Sequence, residues 1–569
     1  MAQYLEFRNA KCKDCYKCLR ECPVKAIDVR DHQAKIIEDR CILCGHCTVI
    51  CPQNAKVVHS ELDQVKALLA SGQKVIASVA PSFISSFRLK DFTPMKIALA
   101  KLGFADAEET AIGAQAVTQK YTEQMRTGEY HNYIASACPA VCRLIQEYYP
   151  KALKYLAPVD SPMVAHAKII HQHHPDAKVV FIGPCIAKKR EGHECGYIEN
   201  VLTFEDLSHF LEERNIVLDE ITNIMINPKG GSANLAKLYP VSHGIIKSFP
   251  TLPEGYEYMS VDGPDRCSDA LDHIEDLHHV FLEINLCKDC CVNGPCSLEH
   301  PGGSITATNE VREYVNRERK ELLSVQEEVP VEVDLTALYP RIRNSSMPAT
   351  ERDIEAILHK TGKMTKEDEL DCGACGYATC RQKAWAVYNG YADIEICMPY
   401  MRQRAESLSY EVIQNSPEGV IVLDSEMNIV EANSKARELL GIRETNVKGR
   451  PALDYFKPVD FMIAYNEKKH VDSKNMFIIE TQKYVDLSIN YLEGQNVLFG
   501  IMKDVTESVN YDKQISKVKM ETLTTTDEVI KKQMRVAQEI ASLLGETTAE
   551  TKVALLKLKK TLESEEKGD

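Results

Sequence analysis

Two runs of cysteine constrain this chain more than any other feature. Cys12-x2-Cys15-x2-Cys18-x3-Cys22-Pro23 is followed by Cys41-x2-Cys44-x2-Cys47-x3-Cys51-Pro52. Short spacings of this kind suit metal ligation better than disulfides. In such a double run the fourth cysteine of each copy ligates the cluster of the other. One 4Fe–4S cluster is therefore expected on Cys12, Cys15, Cys18 and Cys51, and a second on Cys41, Cys44, Cys47 and Cys22. Zinc takes four ligands, not eight in this nested order.

The chain has 569 residues, enough for three to five domains. Its 44% hydrophobic and 27% charged content is ordinary for a globular protein. A net charge of −15 argues against nucleic acid as a main partner, because phosphate binding needs a basic patch. The 21 cysteines are clumped, no early apolar run resembles a signal peptide, and no stretch of about 18 apolar residues suggests a membrane span. A cytoplasmic, oxygen-sheltered setting is expected.

Four more cysteines are scattered over three segments: Cys138 in Ala135-Ser-Ala-Cys-Pro, Cys185 in Gly183-Pro-Cys-Ile-Ala-Lys188-Lys189-Arg-Glu191, and Cys287 with Cys291 in Glu283-Ile-Asn285-Leu-Cys-Lys-Asp-Cys290-Cys. Val75–Ala80 reads as a short buried strand ending at Pro81. Val179–Gly183 and Val280–Leu286 read as strands leading into Cys185 and Cys287. The apolar spacing of Val141, Leu144, Ile145 and Tyr148 predicts a helix starting just after Cys138, whose N-terminus favours a negative cluster. Ligands beyond the carboxyl ends of strands suit the crevice of an open α/β sheet.

At these residues the chain resembles the active-site domain of the FeFe hydrogenases, and residues 1–60 resemble two-cluster ferredoxins. The hydrogenase resemblance implies that Cys138, Cys185, Cys287 and Cys291 bind the cubane of an H-cluster, a 4Fe–4S group joined to a diiron subsite with CO, cyanide and a bridging dithiolate. It implies that Cys291 is the bridging thiolate, that Lys188 hydrogen-bonds a cyanide, and that Ser82 in Ala80-Pro81-Ser82 lies on another cyanide-facing segment. The family's proton-carrying cysteine falls on Ala137, and its two methionines fall on Gly183 and Asn285. A methyl group cannot carry a proton, so H2 binding with slow turnover is expected, as in the sensory members of the family. A plain cubane without a diiron subsite remains the alternative. Cys142, Cys195, Cys267, Cys290 and Cys296 read as buried small hydrophobes. Asn227–Ser232 lacks the register of a P-loop and reads as a turn.

Residues 325–340 read as an extended acidic connector. Cys372-x2-Cys375-x4-Cys380-x16-Cys397, within 340–400, resembles the small cluster domain of corrinoid iron–sulfur proteins and membrane electron-transfer subunits. Gly373 and Gly376 let that loop wrap a third accessory 4Fe–4S cluster, although four cysteines also suit zinc. Residues 405–510 lack cysteine; Ile413–Asn433 reads as a hairpin, and the segment resembles a PAS domain. Haem on His470 and an empty or partner-binding PAS domain are both open. Residues 511–569 predict two helices joined near Gly545. Their stripes, Val536, Ile540, Leu543 and Leu544, then Val553, Leu556 and Leu558, suit their own domain, a homodimer seam or a signalling partner.

The expected fold is α/β multidomain: a ferredoxin-like domain over 1–60, an H-cluster domain over 61–330, a small cluster domain, PAS and helices. The expected function is sensing of H2 or redox state, with a kinase or phosphatase in trans. Ferredoxin or another redox partner, H2 and protons, and hydrogenase maturation proteins complete the implied partners. A metabolic hydrogenase linked to ferredoxin, and an iron–sulfur electron-transfer protein without diiron, are the alternatives.

Overall fold

The computed structural model describes residues 4–7, 11–30, 33–221, 235–321, 333–343, 346–444, 447–544 and 548–564. Asn227–Ser232, most of the connector before 333, and the Gly545 junction lie outside them. The chain divides into two compact units, Met1–Met401 and Arg402–Asp569.

The first unit begins with a small doubled motif. Strand Leu5–Phe7 pairs antiparallel with Lys56–Val58, and Ile27–Arg30 pairs antiparallel with Gln33–Ile36. The internal repeat is visible in the backbone. Asp14, Tyr16 and Lys25 are left-handed, with φ of 52°, 56° and 50°, and so are their counterparts Leu43, Gly45 and Asn54. Each copy turns its cysteine loop with the same kinks and then enters one turn of helix, Lys17–Arg20 or His46–Val49.

Two parallel sheets follow. One has the order Asp106–Glu109, Val75–Val79, Lys178–Gly183, Asn200–Thr203. The other has the order Glu257–Asp262, Val280–Asn285, Tyr133–Ile134. All five side chains of Val75–Val79 and all six of Val280–Asn285 are buried, the pattern of parallel strands covered on both faces. Burying a Val or Ile side chain contributes about 1.5–3 kcal/mol, so these strands anchor the cores on either side. The segment after 332 is extended but not free. Asp160 N–H donates to the Leu335 carbonyl, Ala337 N–H to Pro158, and Ile342 N–H to Gln146, with Leu335 fully buried. It straps the second sheet.

Beyond the strap, Glu351–Lys360 and Cys380–Tyr388 are helices started by Thr350 with Asp353 and by Thr379 with Gln382, each pair forming a reciprocal cap. Arg40 places its guanidinium over the rings of Tyr148, Trp385 and Tyr391 at 5.5, 5.8 and 4.6 Å. One cation thus joins the N-terminal motif, the second sheet's flank and the small helical pair.

The second unit is a five-stranded antiparallel sheet in the order Ile429–Ala432, Gly419–Leu423, Val497–Asp504, Lys483–Leu492, Val471–Ile478. The predicted hairpin forms its first pair. Buried Asn433 uses its whole amide: Oδ1 accepts from Val420 and Ala436 N–H, and Nδ2 donates to the Ile413 and Glu418 carbonyls. Helices Thr506–Leu544 and Thr548–Ser564 follow, joined by the Lys559–Asp527 ion pair at 2.9 Å. Val536, Ile540, Val553, Leu556 and Leu558 are exposed on them. No helix among the described residues is long and apolar enough to cross a membrane.

Candidate functional site

Every segment expected at the centre leaves the carboxyl end of a parallel strand. Val75–Val79 runs into Ala80-Pro81-Ser82, Tyr133–Ile134 into Cys138, Lys178–Gly183 into Cys185, and Val280–Asn285 into Cys287. Cys138 is the N-cap of helix Pro139–Tyr148, and its carbonyl accepts from Val141 and Cys142 N–H. The loops are tied together directly. Cys296 N–H donates to the Pro184 carbonyl at 3.0 Å, and a side chain on Gly294 would stand 2.8 Å from that same oxygen.

The four thiols gather there. Burial pushes Cys287 and Cys291 up, and the neighbouring thiols of Cys185 and Cys138 push the same way. Cys185 rises to about 11, by burial and then by Cys138. Bare thiolates are costly at such a site, and a bound metal centre reverses that cost.

Polar groups around the thiols fall into two classes. Lys188 donates through Nζ to Ser161 Oγ at 2.8 Å and to Glu191 Oε2 at 2.7 Å. Burial alone would pull it down, but Glu191 and the Cys185 and Cys138 thiols hold it above its ordinary value, charged. Ser82 Oγ and Asn285 Nδ2, by contrast, are buried without a hydrogen-bond partner. Unpaired buried donors cost about 1–3 kcal/mol each and fit a group that brings its own acceptors. Asn285 shares a strand face with Glu283, whose carboxylate is one of the charges that raise Cys291. Buried Glu283 is itself pushed up to about 7 by burial, against hydrogen bonds from Ile246 N–H and Ser260 Oγ.

The departures from the hydrogenase pattern have local explanations. Ala137 is a half-buried methyl packed against a hydrophobic cluster. At Gly183 the place of a Cβ is taken by the Phe181 ring, 2.8 Å away. Sequence reasoning treated Asn285 only as a lost methionine; the structure shows an added, unspent donor. Cys142, Cys267, Cys290 and Cys296 are buried, while Cys195 is half-buried. Cys290 is left-handed at φ 61°, as is Asp289 before it, a strained turn leading into Cys291.

Three further cavities each open among four cysteines. One is lined by Cys12, Cys15, Cys18 and Cys51, and one by Cys22, Cys41, Cys44 and Cys47. A third is lined by Cys372, Cys375, Cys380 and Cys397. A zinc ion draws its sulfurs in to about 2.3 Å, and among the described residues no three or more of His, Cys, Asp or Glu converge to hold one ion. These donor sets fit a group several atoms across.

The sets are also neighbours. Left-handed Gly45 lies beside Cys44, and a Cβ on it would stand 2.5 Å from Pro295 and 2.9 Å from Ile186. Cys44 is one of the thiols that raise Cys287. A Cβ on Gly376, next to Cys375, would approach Arg20 Cα at 3.1 Å. Burial pulls Lys25 down while nearby Cys22 and Cys375 push it the other way. His470, considered above for haem, is exposed and bonds Asn490 Oδ1 and Asp472 Oδ2, each at 2.9 Å.

Comparison with known proteins gives these parts families. Residues 73–295 match the iron only hydrogenase large subunit, C-terminal domain. Residues 11–55 match a 4Fe-4S dicluster domain, 368–399 a family of Fe-S cluster domains, and 409–473 the PAS fold. The NADP-reducing hydrogenase subunit HndD of Solidesulfovibrio fructosivorans is 22% identical over 246 residues, 37% of this chain and 42% of that protein. Iron hydrogenase 1 of Clostridium pasteurianum is 25% identical over 374 residues, 47% of this chain and 65% of that protein. The chain thus spans less than two thirds of either relative. A solved variant of the FeFe hydrogenase HydA1 of Chlamydomonas reinhardtii aligns with a TM-score of 0.38 and 15% identity, over 50% of this chain and 99% of that one.

Proposed function

We propose that this chain, an iron-only hydrogenase domain carrying iron–sulfur and PAS modules, is a sensory FeFe hydrogenase of low activity. It would bind H2 and relay H2 or redox state to a separate signalling partner. One observation carries the reading: four thiols from three distant segments gather at the carboxyl ends of parallel strands, while the position beside Cys138 is the methyl of Ala137. The site joins ligands for an H-cluster to a missing proton carrier.

In this reading Cys138, Cys185, Cys287 and Cys291 would hold the cubane, and Cys291 would be the thiolate it shares with a diiron subsite. When bound, that group supplies the place where H2 is taken up and split into two protons and two electrons. Lys188 and Ser82 present donors to its terminal ligands. Ala137 passes no proton, which slows turnover without weakening ligation. Cys22, Cys41, Cys44 and Cys47 hold the accessory cluster nearest the centre, Cys12, Cys15, Cys18 and Cys51 a second, and Cys372, Cys375, Cys380 and Cys397 a third. The PAS domain over 405–510 and the helices over 511–569 would pass the state to a kinase or phosphatase, in a cytoplasmic setting.

The test is anaerobic maturation followed by infrared spectroscopy and an H2-oxidation assay. CO and cyanide bands together with a marked gain in turnover for Ala137→Cys support the reading. Absence of the bands overturns the hydrogen-handling part, and fast turnover with Ala137 in place overturns the sensory part.

A further inference from the structure

The accessory cavities hold their positive charge differently. The Cys22/Cys41/Cys44/Cys47 cavity has a largely apolar lining, with Leu5, Val24, Ile27, Ile36 and Ile42, and its cations meet backbone: Lys56 donates to the Cys47 carbonyl and Arg190 to the Cys41 carbonyl, with buried Arg40 next to Cys41. The Cys12/Cys15/Cys18/Cys51 cavity has one buried lysine, Lys56, whose Nζ donates to the Cys47 carbonyl at 2.7 Å; its Lys13 and Lys17 are exposed. The Cys372/Cys375/Cys380/Cys397 cavity is lined by two buried lysines. Lys363, 8% exposed, donates through Nζ to Cys397 Sγ at 3.4 Å and to Thr361 Oγ1 at 3.1 Å. Lys383, 7% exposed, donates to the Ile394 carbonyl at 3.1 Å and to that of Ile396, the residue before Cys397. Among the described residues no carboxylate forms an ion pair with either.

Reduction adds one negative charge to a cluster already ringed by thiolates. A buried ammonium beside it lowers the energy of that added charge, because Coulomb attraction grows as the local dielectric falls. Net charge, hydrogen bonds to sulfur and solvent exposure are the protein's means of setting a cluster's potential. Here two ammoniums, an N–H to sulfur bond on Cys397 and an exposed Cys372 act in one direction, against the Asp371 carboxylate that also lines the cavity.

We propose that Lys363 and Lys383 raise the reduction potential of the Cys372–Cys397 cluster, so that it takes up an electron from the Cys22 side. The inference rests on the cluster reading of those four cysteines. Its step is a single electron transfer. The neighbouring cluster, reduced beforehand by a low-potential donor, loses one electron and the Cys372–Cys397 cluster gains it, with no bond made and no proton moved. The contact needed is present: the Cys375 loop packs on helix Lys17–Arg20, which precedes Cys22, and Cys375 borders the core that contains Cys22. Lys363 and Lys383 are positioning residues, acting on the cluster and touching no substrate.

The experiment is a potentiometric titration of the full reconstituted chain with dithionite and mediators, followed by electron paramagnetic resonance. The Cys372–Cys397 signal is identified by its loss in Cys372→Ala. We expect it to move lower in Lys363→Met and in Lys383→Met, and to stay in place in Lys363→Arg, which keeps the charge. The Cys22-set signal should not move in any of these. An unmoved signal in both Met variants overturns the proposal, as does one displaced as far by Arg as by Met. Absence of any signal lost in Cys372→Ala removes the cluster reading itself. No H2 enters the titration, so a failure to handle H2 leaves this result intact.

Discussion

The crevice that gathers Cys138, Cys185, Cys287 and Cys291 and the cavity ringed by Cys372, Cys375, Cys380 and Cys397 hold sulfur by opposite means. The crevice sits where two parallel sheets end. Its Cys185, Cys287 and Cys291 thiols are pushed up by burial, and its Ser82 and Asn285 donors are left unspent. The cavity is assembled from two capped helices and a glycine-turned loop, with one cysteine exposed and lysine charge already against a sulfur. A crevice that withholds its donors suits a group with ligands of its own. A cavity that supplies charge suits a group whose task is to carry an electron.

The largest effect that could break this contrast is loss of a ligand. In Cys287→Ala the infrared bands of CO and cyanide should disappear entirely, while the accessory cluster signals persist. Bands that survive would show that the crevice is not where such a group sits. Next in size is Gly45→Val, which strikes the contact between the Cys44 loop and the crevice. A left-handed β-branched residue costs about 1–2 kcal/mol, and overpacking against Pro295 and Ile186 adds about 1–3 kcal/mol. Chemical denaturation should register a loss of roughly 2–5 kcal/mol.

Much of this contrast was legible in the sequence, and the limit has a physical reason. Cysteine spacing is local information, so the crossed sets Cys12/Cys15/Cys18/Cys51 and Cys22/Cys41/Cys44/Cys47 could be written down, and each lines its own cavity. Strand-then-cysteine order likewise placed the crevice at strand ends, and the hairpin expected over Ile413–Asn433 forms from Gly419–Leu423 and Ile429–Ala432, while Ile413 and Gln414 end a helix. Three features could not be read. Lys363 reaches Cys397 across a turn in three dimensions, and nothing in Thr361-Gly-Lys-Met announces it. The segment after 332 reads as a polar connector, yet its backbone hydrogen bonds strap it to Val159 and Asp160. Asn285 looks like a deletion of methionine until its amide is found without an acceptor.

A smaller effect comes from Glu283, near the crevice floor. Its carboxyl is raised by burial from 4.5 to about 7. The folded chain therefore keeps a proton that the unfolded chain has released between those values. Stability from this group is complete below about pH 4.5 and is lost as pH rises through about 7, at most about 3 kcal/mol by linkage. In chain prepared without iron, Glu283→Gln should flatten that decline whatever it does to absolute stability. An equally steep decline in the variant would show that the carboxyl titrates normally and that the crevice is wetter than its packing implies.

Asn285 gives the smallest effect and the sharpest sign. Without a bound group its Nδ2 has no acceptor, at a cost of about 1–3 kcal/mol. Asn285→Leu, of similar volume and without a donor, should stabilise iron-free chain by about 1 kcal/mol in a denaturation curve. In matured chain the gain should vanish, because a hydrogen bond to the bound group is lost, and the CO or cyanide bands should shift. A gain of equal size in both states, with unmoved bands, would mean that Asn285 faces protein and not ligand. The crevice would then owe its unspent donors to Ser82 alone, and its difference from the lysine-lined cavity would shrink to burial.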